Sequence, residues 1–301
     1  MVQIKLQLDW KPNAQFAGVL YAHYHGLYKQ NDIDLEIIPW NDYTDTIDVL
    51  DNEGLVVASA EDNLIIKARA KGKPIIAIGT MMQYSGIGWM SLKSKNIYSF
   101  QDLKGKRVGI HNDGEVAVDV ALKNANLTRE DVEVVIVGYD YSELLVSGEL
   151  DAMQCLIMVE PLEMETLGHH VNIISGRSQG YSVYAQVLAI NRQLLSECSD
   201  IWMGFLQATF SGWRHALLDP YDVSKIISQT YLKDSTPELQ KKMLDAMKPI
   251  IIGDVGIDHI GWMENTRWER SISYLIDQKN LSNPMRPEDV MTNHFMEVIY
   301  R

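Results

Sequence analysis

Residues 6–37 read "LQLDWKPNAQFAGVLYAHYHGLYKQNDIDLEI", and the order of elements in this stretch decides the fold class. An alternating strand enters it with Val2, Ile4, Leu6, Leu8 and Trp10 on one face. The strand runs into Asp9-Trp10 and then Pro12-Asn13. An apolar helix follows, with Phe16, Leu20, Tyr24 and Leu27 at near-helical spacing and Gly26 placed to close it. "IDLEIIP" then begins a second strand. A strand, a helix and a strand over so short a span make a βαβ unit, which signals an α/β protein. A Trp at the end of the first strand, beside the helix start, reads as the floor of a small-molecule site.

The alternation continues outward from this unit. "LVVAS" and "KPIIAIGTMMQ" are strands, with the helix "EDNLIIKARAKG" between them. The pattern restarts near Gly88. "GWMSLKS", "KRVGI", "VEVVIVG", "DAMQCLIM" and "HVNIIS" read as strands, and "EVAVDVALKNAN", "SELLVSGEL" and "VEPLEMETLG" as helices. "SVYAQVLAINRQLL" returns as a strand passing into a helix, and the remainder is mostly helical. No low-complexity segment or long Pro/Gly linker divides the chain. The expected organisation is two lobes, with lobe I from residues 1–87 and 188–301 and lobe II from 88–187.

Composition excludes several classes. Hydrophobic residues make up 46% of the 301 and charged residues 22%, enough for a proper core and unlike a disordered chain. No apolar run reaches the roughly 18 residues that span a bilayer. Lys and Arg number 27 against 40 Asp and Glu, a formal net charge of −13, which argues against nucleic acid as a partner. Cys155 and Cys198 form no CxxC pair, so zinc-ribbon and thioredoxin chemistry are unsupported. The histidines make a poor metal site: His23 and His25 are two apart on a helix, His169 and His170 are adjacent, and the others lack a partner at ligand spacing.

Asp9-Trp10, Pro12-Asn13 and the following "GLYKQNDIDLEI" resemble the opening of the solute-binding proteins related to thiamine-pyrimidine synthase, where a strand leads into LDW-x-PN and a helix. Asn31-Asp32 stands where that pattern usually has a glycine, an acceptable exchange because both residues tolerate left-handed turns. "IIKARAKGKPIIAIG" (65–79), "SLKSKNIYSFQDLKGKRVGI" (91–110) and "SGELDAMQCLIMVEP" (147–161) are similar to further family segments, in the right order. DLKGK is shared by many periplasmic-binding-type proteins and specifies fold, whereas LDW-x-PN is the narrower signal.

The resemblance implies a type II periplasmic-binding-protein (Venus-flytrap) fold with the ligand in a cleft between the lobes. It implies an extracytoplasmic substrate-binding protein of an ABC importer. The partners would be an ABC permease and a small aromatic heterocycle, such as a thiamine-pyrimidine precursor or riboflavin. The expected state is a monomer, periplasmic or lipid-tethered, with an export signal removed ahead of Met1. The same module also serves as the sensing domain of larger membrane receptors.

One branch of the family is an enzyme that makes the pyrimidine from its own histidine and pyridoxal phosphate. It needs a Lys, a His one helical turn later, and a cysteine-rich patch for iron. Spacing back from Pro74 puts the first two at Ala60 and Leu64. Spacing back from Asn191 puts the patch on "GYSVY" (180–184), which has no cysteine. No catalytic residue, cofactor or metal is therefore expected.

Candidate ligand contacts follow. Trp10 would offer an indole face to a flat heterocycle, worth roughly 1 kcal/mol beyond burial; otherwise it is a core Trp. Asp9 lies beside it. Asn13 would bond a ring substituent or cap the helix. Tyr84 and Trp89 flank "SGIG", where the chain first crosses between lobes, and would close over a ligand or pack a hinge. Glu160 in "VEP" corresponds to a family Glu that faces the ligand's amino group; its alternative is a solvated surface residue. Tyr181 and Tyr184 lie on the returning segment. The loop "HNDGE" (111–115) sits between a buried strand and a helix start, where an anion would bind. Asn112, Asp113 and Glu115 occupy it instead of glycines, which favours an unphosphorylated ligand, or Asp113 simply caps the helix.

Overall fold

Ile4, Leu6 and Leu8 are completely buried while Gln3 and Lys5 are exposed, the period-two pattern of a strand with one face on the core. The computed structural model describes residues 1–41, 45–111, 114–138, 141–279, 281 and 285–301. Along the chain the elements are β1 (Val2–Gln7), α1 (Ala17–Tyr24), β2 (Ile33–Ile38), β3 (Leu55–Ala60), α2 (Asp62–Ala70), β4 (Ile75–Met82), β5 (Ile87–Leu92) and β6 (Arg107–Ile110). Then come α3 (Glu115–Asn124), β7 (Glu133–Ile136), α4 (Tyr141–Ser147), β8 (Ala152–Leu156), α5 (Glu160–Thr166), β9 (Val171–Ser175) and β10 (Ala185–Asn191). The remainder is helical: α6 (Leu194–Glu197), α7 (Ser199–Leu218), α8 (Pro220–Ile226), α9 (Pro237–Ile252), α10 (Asn265–Asp277), α11 (Pro287–Val290) and α12 (His294–Ile299).

The chain divides into two compact units. One comprises Met1–Gln83, Val183–Ile272 and Leu281–Arg301; the other comprises Tyr84–Ser182 and Ser273–Asn280. The first is built on a five-stranded sheet of order β2-β1-β3-β10-β4. β1 pairs in parallel with both β2 and β3, while β10 runs antiparallel between β3 and β4. All eight residues of β4 are buried, as a strand covered on both faces requires. The second unit repeats the plan with the order β7-β6-β8-β5-β9, in which β6 is parallel to β7 and β8 and β5 is antiparallel to β8 and β9. Each sheet therefore mixes parallel strands with one antiparallel strand, β10 in the first and β5 in the second.

Helix packing in the first unit is unusually close. A Cβ on Gly18 of α1 would lie 2.2 Å from Trp213 Cγ, and one on Gly212 of α7 would lie 2.1 Å from the Gly18 carbonyl oxygen. The two helices meet through glycine on both sides, with the Trp213 indole filling the space that two side chains would otherwise claim. Trp202, Phe205, Phe210 and Trp268 complete this core. The second unit's core is centred on Met90, Leu145, Leu150, Met153, Cys155 and Met164. Asp102 of the DLKGK segment closes a turn: it accepts from Tyr98 N (2.9 Å), Ser99 N (2.8 Å) and Ser99 Oγ (2.9 Å), which holds its carboxyl below the usual range. This segment thus serves the fold.

Between β2 and β3 the chain forms a short 3-10 turn over Asp48–Asp51, with residues 42–44 outside the described residues. The first helix enters through a separate 3-10 turn, Ala14–Phe16, set by the Asn13 side chain.

Candidate functional site

Strand order brings the ends of four strands of the first unit to one edge. Because β1 and β3 are parallel neighbours, with Gln7 opposite Ala58, their C-terminal ends lie side by side. β10 is antiparallel to β3, with Val187 opposite Ala60, so its start lies there too. Ala185 opposite Met82 adds the end of β4. In open α/β sheets, ligands bind outside the carboxyl ends of the parallel strands.

Asp9 follows β1 and is half-buried; its Oδ1 accepts from Ser59 Oγ of β3 (3.0 Å). Trp10 is half-buried as well. Its ring stacks on Trp40, with centroids 6.2 Å apart and planes at 28°, and its carbonyl accepts from Trp40 N (3.2 Å). Trp40 escaped the sequence reading, although a signal existed. It stands two residues beyond β2, the parallel neighbour of β1, just past a strand end as Trp10 does.

Asn13 is buried and its Oδ1 accepts from Gln15 N (2.9 Å), so the side-chain oxygen is used in capping the turn. Gln240 of α9 fixes the same turn: its Oε1 accepts from Ala14 N and its Nε2 donates to Ser235 Oγ, each at 2.7 Å. Gln15 is buried in turn, and its Oε1 accepts from Gln186 Nε2 of β10 (3.1 Å).

Behind this edge lies a carboxylate. Asp62, first residue of α2, has no exposed surface. Its Oδ2 accepts from Ser271 Oγ (2.6 Å) and Tyr184 N (3.0 Å). Burial pushes its pKa up to about 7, opposed by the Ser271 hydroxyl, the Tyr184 and Asn63 N–H groups and the Arg267 guanidinium. Tyr184 is equally buried. Its oxygen accepts from Glu264 N (2.6 Å), its ring lies 4.9 Å from the Arg267 guanidinium, and burial raises its phenol to about 12. Arg267 also donates to the Gln83 carbonyl. Tyr184 is thus held by structural contacts within its unit.

In the second unit, β6 and β8 end on a corresponding edge. His111 N donates to Gln154 Oε1 (3.0 Å) and its Nδ1 lies 3.2 Å from the Val137 carbonyl. A Cβ on Gly114 would fall 1.7 Å from Gln154 Oε1, so a side chain there would displace the Gln154 amide from its bond with His111 N. Asn112 and Asp113 lie outside the described residues. Glu115 opens α3 and is exposed. Glu160 opens α5 but is buried rather than solvated: its Oε2 accepts from Leu156 N (2.7 Å), closing the turn after β8. Burial, and then the Glu160 charge, push the neighbouring Cys155 thiol well up.

The aromatic candidates of this unit are engaged in packing. Trp89 lies within β5, 1% exposed, with its ring edge-on to Phe100 at 4.6 Å. Tyr84 lies under the Arg177 guanidinium at 3.7 Å. Tyr181 stacks on Tyr274 with centroids 6.1 Å apart. The structure therefore brings Asp9, Trp10 and Asn13 together on the first unit's edge and places Trp89 in a core.

A separate cavity of about 530 Å³ in the first unit is lined by Asp254, His259, Trp262, Glu264, Glu297 and Tyr300 among others. It borders the segment whose Gly261 carbonyl accepts from Thr80 N of β4. Among the described residues no group of three His, Cys, Asp or Glu is placed to hold a metal ion, and no helix is long and apolar enough to cross a membrane.

The sequence profile of the family described as "NMT1/THI5 like" matches residues 13–223. The riboflavin-binding protein RibY of Chloroflexus aurantiacus is 23% identical, over 98% of this chain and 86% of its own length. A 4-amino-5-hydroxymethyl-2-methylpyrimidine phosphate synthase of Legionella pneumophila is 26% identical, over 79% of this chain and 77% of its own. The formylaminopyrimidine-binding protein of Halalkalibacterium halodurans is 22% identical, over 96% and 89%. Among solved structures, the ligand-binding component of an ABC-type import system from Staphylococcus aureus superimposes with a TM-score of 0.74 at 15% identity, covering 99% of this chain and 98% of that one. The two-sheet α/β architecture is therefore that of the periplasmic binding proteins.

Proposed function

The chain belongs to the NMT1/THI5-like family, and from that premise we propose that it is a receptor that captures a small aromatic heterocycle outside the cytoplasm and hands it to an ABC permease. The ligand class is a thiamine-pyrimidine precursor or a flavin. The protein carries out no bond chemistry on it. The observation that carries this reading is the strand-end edge of the first unit. There a half-buried pair of indoles, Trp10 and Trp40, adjoins the polar side chains of Asp9 and Ser59. Stacked aromatic surface suits a flat ring, and flanking acceptors suit its amino or imino hydrogens.

Relatives named for riboflavin and formylaminopyrimidine binding support the same class. A relative named as a synthase keeps the enzyme reading in view. Against it, Ala60 and Leu64 stand where the resemblance requires the Lys that holds pyridoxal phosphate and the donor His, and residues 180–184 hold no cysteine.

Calorimetric titration with riboflavin, 4-amino-5-hydroxymethyl-2-methylpyrimidine and its formylaminomethyl analogue tests the proposal, alongside an absorbance scan with pyridoxal phosphate. Saturable binding of one of the three heterocycles, with no new absorbance band, is expected. A stable pyridoxal phosphate adduct, or failure of all three to bind, overturns it.

A further inference from the structure

Gln186 is the second residue of β10 and has φ of 50°, a left-handed conformation rare for a residue with a side chain and foreign to a strand. It is 3% exposed, and Gln15, its hydrogen-bond partner, is 1% exposed. The single bond between the two amides leaves one atom on each side without a partner: Gln15 Nε2, a donor, and Gln186 Oε1, an acceptor. Exchanging oxygen and nitrogen on both amides reverses the bond but again leaves one donor and one acceptor open, so the result is independent of amide orientation. Two buried amides open in complementary senses are costly in an empty protein. Their position explains why they persist. Gln15 is five residues past Trp10, and Gln186 precedes Val187, which pairs with Ala60 at the end of β3.

We propose that Gln15 and Gln186 read the hydrogen-bonding edge of the bound heterocycle, one amide donating to a ring acceptor and the other accepting from the adjacent N–H. This rests on the binding role proposed above and narrows it to a substrate class. The ligand carries a lactam, imide or amidine edge, in which a C=O or ring N stands next to an N–H. Such an edge closes the open amide pair in one step, and the unusual backbone of Gln186 is retained because it aims that side chain at Gln15.

The test is calorimetric titration of the wild type, Gln15→Leu, Gln186→Leu and Gln186→Asn with two probe pairs. The first is riboflavin and its N3-methyl derivative. The second is 4-amino-5-hydroxymethyl-2-methylpyrimidine and its 4-dimethylamino derivative. In each pair the second member lacks the N–H. The wild type is expected to bind the N–H member of at least one pair on the order of tenfold more tightly. Each variant is expected to lose that preference together with about tenfold in affinity for the N–H probe. Asn tolerates positive φ, so Gln186→Asn withdraws the amide while keeping the backbone, and a melting curve shows that it folds. Wild-type binding without discrimination, or variants that retain both affinity and preference, overturns the amide pair's role and leaves the receptor reading standing. A wild type that binds no probe overturns both.

Discussion

Trp10 and Trp40 stack at 6.2 Å with 28° between their planes, and the backbone of Trp40 donates to the Trp10 carbonyl. Two adjacent parallel strands therefore end in a matched pair of indoles, tied through the main chain as well as through their rings. The arrangement leaves both half-buried, so part of their apolar surface is in contact with solvent in the absence of ligand.

Trp10→Ala and Trp40→Ala are each expected to weaken ligand binding by about tenfold without unfolding the protein. A half-buried ring contributes less to the core than to a stacked ligand, and an aromatic pair is worth about 0.5–1.5 kcal/mol beyond burial. Calorimetry with whichever heterocycle binds the wild type, run beside a melting curve, checks both halves. Unchanged affinity in both variants would assign the pair to packing.

Asp62 makes stability depend on pH in the sense opposite to an ordinary carboxylate. Its folded-state pKa is raised from 3.8 to about 7, so between those values the folded chain holds a proton that the unfolded chain has released. Stability from this group is full below the unfolded value and is lost as pH rises towards the folded one. Asp62→Asn keeps an oxygen for Ser271 and Tyr184 N and cannot ionise. It is expected to gain on the wild type by a few kcal/mol between pH 4 and 8, at about 1.4 kcal/mol per unit. Urea midpoints at several pH values measure the difference, and parallel curves for the two proteins would refute the assignment.

Gly212→Ala is expected to destabilise the first unit by about 1–3 kcal/mol, because the added methyl meets the Gly18 backbone at 2.1 Å and a carbonyl cannot swing aside. Gly204→Ala, on the same helix, meets Asn31 Cβ at 3.0 Å and should cost less. Chemical denaturation ranks the two, and equal midpoints would show that α1 and α7 separate readily.

An unphosphorylated pyrimidine is expected to bind more tightly than its phosphate ester, on the order of a hundredfold. Asp113 and Glu115 stand in residues 111–115 in place of the glycines a phosphate loop would carry, and the formal net charge of −13 opposes a dianion. Direct titration of 4-amino-5-hydroxymethyl-2-methylpyrimidine and its phosphate gives the sign. Tighter binding of the phosphate would reverse the reading of residues 111–115.

The α/β architecture was legible because strands and helices alternate with clear periodicities, and because Asp9-Trp10 and Pro12-Asn13 mark one strand end unambiguously. Single-residue roles were less so. Glu160 reads as a ligand-facing or a solvated carboxylate; burial removes the solvated alternative, and the turn after β8 uses one of its oxygens as the acceptor for Leu156 N. Trp89 looks like a crossing-segment aromatic until β5 carries it onto Phe100. Gln186 carries no local signal at all: its positive φ is imposed where β10 enters between β3 and β4, which only the folded sheet defines.

That late entry of β10 also sets the order of events on the ribosome. β3 and β4 emerge early but do not pair with each other; the place between them is filled by a strand made more than a hundred residues later. Until then β4, all of whose residues are buried in the folded protein, and one side of β3 present unpaired backbone, the kind of edge that recruits other chains. A nascent chain halted before Ala185 should therefore aggregate or engage chaperones more than one extended past Asn191, in which β10 can fill the gap; pelleting assays on stalled chains of the two lengths measure the difference.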